Sequence, residues 1–177
     1  DSLLRAFADL LDYPTSHIHQ QVDACLSELQ AIPEAAQALE TFRRGIEQLP
    51  LERLQELYTV TFDMQPLCYP YIGYHLFGES YKRGAFMAQL NETYHAHDFC
   101  PQQELPDHLP VALRYLGLEA ARREEDFGSA LIVEGILPAL VKMLQVFNQQ
   151  TENPYASLLS ALHVALAQAV EKELSHA

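Results

Sequence analysis

The sequence has no tryptophan, three cysteines and seven glycines among its 177 residues. Each scarcity closes a class of protein. With so little glycine and 49% hydrophobic residues, the chain is neither collagen-like nor of low complexity, and it holds enough apolar side chains to fold around a core. Cys25, Cys68 and Cys100 form no CxxC pair and are odd in number, so they spell neither a zinc knuckle nor a disulfide framework, and a reducing compartment fits. Positive charge is scarce as well: 11 Lys and Arg stand against 24 Asp and Glu, a net charge of -13. Nucleic-acid affinity rests on cations that track phosphates, so no nucleic-acid partner is expected. The same acidity attracts a basic peptide, or serves only solubility.

Long apolar runs are also missing. Ala130 to Val141 covers 12 residues and is interrupted by Glu134 and Pro138, whereas a bilayer needs about 20 helical residues. The expectation is a core helix and no membrane insertion. No basic leader opens the sequence, and the chain is expected to be cytoplasmic.

What the chain does hold is helical periodicity. Leu3, Leu4, Phe7, Leu10 and Leu11 recur at helix spacing before the stop at Pro14. Thr15 or Ser16 can cap a second helix carrying Ile18, Val22, Leu26 and Leu29, ended by Pro33. A third carries Leu39, Phe42, Ile46 and Leu49 up to Pro50, and a fourth runs from Leu51 to Phe62. After a loop bracketed by Pro66 and Pro70, Gly78 separates two further helices, the second with Phe86, Met87, Leu90 and Tyr94. Pro101, Pro106 and Pro110 mark an irregular connector before Val111, Leu113, Tyr115 and Leu116. Phe127 to Asn148 reads as a long helix bent near Pro138, and Asn153-Pro154 opens a last one with Leu158, Leu159, Leu162 and Leu166. No segment alternates like a strand. The prediction is an all-α fold, a single-domain helical bundle of about nine helices over residues 1–177.

Catalytic patterns are weak. Glu92-x-x-His95 and Glu173-x-x-His176 resemble half of a di-iron site, but His176 is the penultimate residue, where helices fray, so no metal is expected. His17, His19, His95 and His97 read as surface or cap residues. Glu134, within an apolar helix, is either a buried acid or a residue that faces solvent on the thin polar stripe or makes a structural hydrogen bond, and the latter two are favoured. No P-loop, GxSxG, GxGxxG or HExxH occurs, so neither catalytic residues nor a cofactor of the chain's own is expected.

Two clusters remain. Tyr69, Tyr71, Tyr74, His75, Phe77 and Tyr81 gather around Gly78, with Tyr71, Tyr74 and His75 placed on one helical face. They form either a peptide-binding surface or an aromatic core. In Glu104-Leu105-Pro106-Asp107-His108-Leu109-Pro110, Asp107 can be the N-cap of the following helix, with Pro110 in its first turn.

At these residues the sequence resembles the delta-subunit chaperones of respiratory nitrate reductase, within the TorD/NarJ-like molybdoenzyme chaperones. The likeness rests on Tyr74-His75-Leu76-Phe77-Gly78-Glu79-Ser80, on Lys82-Arg83-Gly84, and above all on the run from Glu104 to Pro110 followed by Tyr115-Leu116. Leu10-Leu11-Asp12-Tyr13-Pro14 extends it towards the start. The resemblance implies a non-enzymatic chaperone that binds the N-terminal segment of an apo molybdoenzyme catalytic subunit. It keeps that subunit competent for insertion of molybdenum cofactor and iron–sulfur clusters. Nitrate reductase or a relative is the implied client. It also implies that Asp107 and His108 recognise the peptide. The candidate binding set is therefore Tyr71, Tyr74, His75, Phe77, Gly78, Arg83, Glu104, Pro106, Asp107 and His108. A metal-dependent helical-bundle enzyme and a permanent structural subunit are the alternatives.

Overall fold

A computed structural model describes residues 1–118, 125–149 and 152–177. The described residues form an all-α fold of ten α-helices. They are α1 (Ser2–Leu10), α2 (Ile18–Glu28), α3 (Pro33–Glu47), α4 (Leu51–Phe62), α5 (Ile72–Phe77), α6 (Tyr81–Ala96), α7 (Leu109–Leu116), α8 (Glu125–Ala130), α9 (Leu137–Val146) and α10 (Pro154–His176). A π-helical turn, Leu131–Ile136, joins α8 to α9, so these two make one rod and the described helices amount to nine rods. Among the described residues the only β-type pairing is an isolated antiparallel bridge between Tyr71 and His108.

Proline sets several boundaries. Pro33 and Pro154 each occupy the first turn of their helix, where the missing N–H would have no partner in any case. Pro33 therefore starts α3, where the sequence suggested only an end to α2. At α10, the Asn153 side chain accepts from the Tyr155 N–H at 3.0 Å and donates to Thr61 Oγ1 at 3.0 Å, tying that helix start to α4. Neither Thr15 nor Ser16 is the N-cap of α2. That position falls to His17, whose N–H is held by Thr15 Oγ1 at 3.2 Å.

The expected bend near Pro138 takes the form of the π turn. Pro138 has no N–H for the Glu134 carbonyl, and its ring crowds that carbonyl, so the backbone widens upstream and Leu137 N–H bonds Ile132 O. The continuous run Asp126–Val146 covers 21 residues and contains an 18-residue window of mean hydropathy 1.7, long and apolar enough by length and composition to cross a membrane. The 12-residue limit drawn from Ala130 to Val141 was too narrow, because the helix continues past both ends with few charges. A core helix passes the same test. Leu131, Ile136, Ala139, Leu140 and Met143 of this run do enter the core, while Val133, Val141 and Glu134 lie exposed.

One core joins the described helices from α1 to α10. The apolar stripe of α3, Ala35, Leu39, Phe42 and Ile46, packs along α10, whose Tyr155, Leu158, Leu162 and Leu166 complete the seam. α1 packs on α7 and α2, and α5 lies between α6 and α9. This leaves the C-terminal ends of α1 and α4 close to the loop that precedes α7.

Candidate peptide-binding groove

Between those helix ends and the loop lies a groove of about 640 Å³. Asp12 and Tyr13 enter it from the end of α1, Tyr58, Phe62 and Asp63 from the end of α4, Tyr71 from the turn before α5, Phe99 and Glu104 from the connector, and His108 and Arg114 from α7 and its cap. The walls are aromatic and the rim is acidic. Tyr155 packs edge-on against Tyr58 and Phe62 from behind, those two rings tilt against each other, and the Tyr58 hydroxyl donates to Leu11 O at 2.9 Å. Arg114, the groove's cation, is already held by Asp9 at 3.0 Å and by Asp12. Asp63 and Glu104 have no cationic partner in the ion pairs of the described residues. Two carboxylates thus face an aromatic-walled groove without a counter-ion.

The backbone around the groove is unusual. The non-glycine residues with positive φ among those described are Met64 (23°), Gln65 (58°), Asp98 (55°) and Gln103 (74°). Met64 and Gln65 follow Asp63, Asp98 precedes Phe99, and Gln103 precedes Glu104. Each left-handed residue therefore re-aims a chain that supplies a groove wall, a placement typical of binding sites.

The structure divides the predicted residues. Tyr71, Glu104 and His108 line the groove together. Tyr71 is the extended residue that caps α5, outside the helix, so it does not share a helical face with Tyr74 and His75 as its spacing suggested. Its hydroxyl donates to Glu104 at 3.2 Å, and burial, followed by the nearby Glu104 charge, pushes its pKa up to about 12. Tyr74 and His75 belong to the outer face of α5: Tyr74 packs on Tyr69 at 4.1 Å, and His75 Nε2 donates to Tyr69 O at 2.6 Å. Phe77 lies at the far end of α5 beside a second, apolar groove of about 210 Å³ bordered by Phe86, Leu90, Phe127 and Leu131. Gly78, at φ 64°, ends α5 in a conformation that side chains rarely adopt. The buried Tyr94 hydroxyl donates to the carbonyl of Pro106 at 2.8 Å.

Asp107 is not the N-cap of α7. That position is occupied by His108, without a side-chain capping bond. The Asp107 carboxylate is fully buried and points back across the fold: it accepts from Gly73 N–H at 3.1 Å, and from Arg83 Nε at 2.9 Å and Nη2 at 3.3 Å. It therefore caps α5, and its cation is supplied by α6. His108 is 6% exposed and its Nδ1 has no hydrogen-bond partner. Burial lowers its pKa, outweighing Glu104 and Asp12, so the imidazole is neutral at pH 7.

The walls contributed by α1 and α4 were missed in the sequence, except that Leu10-Leu11-Asp12-Tyr13-Pro14 carried part of the family resemblance. Nothing in local spacing connects Tyr58 and Asp63 to Glu104. As for metals, no group of three or more His, Cys, Asp and Glu able to hold an ion occurs among the described residues. His95 bonds its own helix at Asn91 O, 2.7 Å away, and Glu173 and His176 are exposed.

Comparison with known proteins places the chain in a family. The family described as nitrate reductase delta subunit matches residues 28–171. The chain belongs to that family. It is 31% identical over 160 residues to the nitrate reductase molybdenum cofactor assembly chaperone NarJ of Escherichia coli K12, covering 86% of this chain and 64% of that protein. The chain thus spans less than two thirds of the E. coli relative. It is 30% identical over 168 residues to a protein of Bacillus subtilis 168 named as a probable nitrate reductase molybdenum cofactor assembly chaperone NarJ, covering 91% and 86% of the two chains. The delta-subunit fold also matches a crystal structure from Archaeoglobus fulgidus that carries the name of a redox enzyme maturation protein, with a TM-score of 0.62, 21% identity, and coverage of 93% and 91%. The names carried by these relatives are those of chaperones and a maturation protein, not of enzymes.

Proposed function

We propose that this delta-subunit family member is an assembly chaperone that binds the N-terminal segment of an apo molybdoenzyme catalytic subunit, nitrate reductase or a relative. Binding holds that subunit competent for molybdenum cofactor and iron–sulfur cluster insertion, before the client docks at a membrane or is exported. The chaperone itself acts in the cytoplasm, with no enzymatic step and no cofactor of its own.

The observation that carries the reading is the pair of carboxylates without counter-ions, Asp63 and Glu104, on an aromatic-walled groove. Such a groove suits a segment that is basic in one part and apolar in another. The carboxylates attract the basic part and steer its approach. Tyr58, Tyr71 and Phe99 offer aromatic faces to a guanidinium or an ammonium. The outer edge of α5, with Tyr74, His75 and Phe77, extends the contact to the apolar part. His108, neutral in the groove floor, leaves the negative potential there intact. A segment that orders as it binds loses affinity per unit area and can be released once the client is loaded.

Calorimetry with a synthetic peptide of the client's N-terminus tests this. Binding that weakens with salt and retains a salt-resistant part is the expected result. Failure of that peptide and of the full-length apo subunit to associate would overturn the reading.

A further inference from the structure

Arg83 and Asp107 both fall in the motifs that drew attention to peptide recognition, yet Asp107 is fully buried and the Arg83 side chain is only 17% exposed. Their carboxylate and guanidinium are spent on each other. What they surround is Tyr71. The Asp107 carbonyl accepts from Ile72 N–H at 2.8 Å, its carboxylate from Gly73 N–H at 3.1 Å, and Leu109 N–H bonds Pro70 O at 2.9 Å. Tyr71 is thereby clamped on both sides. The Arg83 guanidinium lies 5.4 Å from the centre of the Tyr71 ring, so the cation that neutralises Asp107 also packs against the groove wall. Tyr71 in turn holds Glu104 through its hydroxyl. The space is closed to anything larger: a Cβ on Gly73 would come within 2.8 Å of Asp107 Oδ2, 3.0 Å of Arg83 Cγ and 3.0 Å of Phe86 Cδ1.

We infer that Gly73, Arg83 and Asp107 form a positioning latch: they hold Tyr71 and Glu104 in place as one wall of the groove and do not touch the partner themselves. This inference rests on the peptide-binding reading above and assigns these two charges a different part from Glu104. Pre-placing a wall removes ordering that binding would otherwise require. A latch residue and a contact residue then differ in one measurable respect. Losing a contact charge changes how affinity depends on salt, whereas losing the latch weakens binding without changing that dependence.

The test uses the full chain and the synthetic client peptide as probe. The double variant R83Q/D107N removes both charges, so the net charge and the long-range field are unchanged. We expect its Kd to rise about two- to tenfold, the range set by ordering one long side chain, with an unaltered slope of log Kd against log salt concentration. E104Q should flatten that slope. R83K, which keeps the charge and loses the two-pronged geometry, serves as the milder variant if the double variant does not fold, and it should show the same loss and the same slope. A flattened slope in R83K or R83Q/D107N would make these residues contacts and overturn the inference, as would wild-type affinity in the folded variants. If wild-type protein does not bind the peptide, the chaperone reading stands or falls with the full-length apo subunit. The latch is then decided in the free protein by nitration of Tyr71: faster reaction in the folded variants supports it, and an unchanged rate overturns it.

Discussion

The rings of Tyr71 and His108 lie 5.4 Å apart, on the two residues of an isolated antiparallel bridge. Neither residue is near the other in sequence. The bridge brings the end of the Pro66–Pro70 loop against the cap of α7, and so joins Tyr71 to Glu104 and His108 in one wall of one groove.

If Glu104 contacts a cation of the partner, E104Q should weaken binding by about 0.2–1 kcal/mol at low salt, the range for an exposed ion pair. The difference from wild type should vanish in high salt. Titration calorimetry at two salt concentrations measures both.

Asp107→Ala should cost more than a surface cap. Loss of an N-cap costs about 1 kcal/mol, but here the substitution leaves Arg83 and Gly73 N–H without a partner in a largely buried site. We expect about 3 kcal/mol in urea unfolding. A loss near 1 kcal/mol would show that solvent replaces the carboxylate.

Two glycines should respond with opposite signs. Gly73→Ala forces a Cβ into Asp107, Arg83 and Phe86 and should destabilise by about 1–3 kcal/mol. Gly84 lies within α6, where an added Cβ would meet nothing within 4 Å, so Gly84→Ala should stabilise by about 0.5–1 kcal/mol. Thermal melts of both variants check the pair.

Stability should fall as the pH drops below neutral. Burial depresses the pKa of both His108 and His75 from the ordinary 6.5. Below that value the unfolded chain takes up protons that the folded chain refuses. The stability these groups confer is therefore complete above 6.5 and is lost as pH falls towards their folded values. His108→Gln should flatten the slope of unfolding free energy against pH between roughly 7 and 5.5. An identical slope in the variant would mean that His108 titrates normally.

The fold was legible wherever local chemistry decides it. Leu39, Phe42 and Ile46 recur at helix spacing before the stop at Pro50 and mark α3 locally, whereas Pro33, which reads as the end of α2, opens the helix. The π turn was less legible, because a proline predicts a defect but not its form. Asp107 shows the limit most plainly. Its place three residues before Pro110 favours a cap for α7, and the local pattern is sound. Burial and a guanidinium from α6 then turn the carboxylate towards α5, a choice made by packing that local spacing does not record. The same holds for the groove: Glu104, Tyr71 and His108 stood out in sequence, but Tyr58 and Asp63 become their neighbours only when α4 ends beside α1.

Amide hydrogen exchange of the full chain, with and without the synthetic N-terminal peptide of the apo nitrate reductase catalytic subunit, tests the central claim most directly. The account predicts added protection at residues 70–73 and 99–108 and at the C-terminal ends of α1 and α4, with little change along α3 and α10. Protection confined to α3, α10 or the exposed face of α9, with none at the groove, would contradict it.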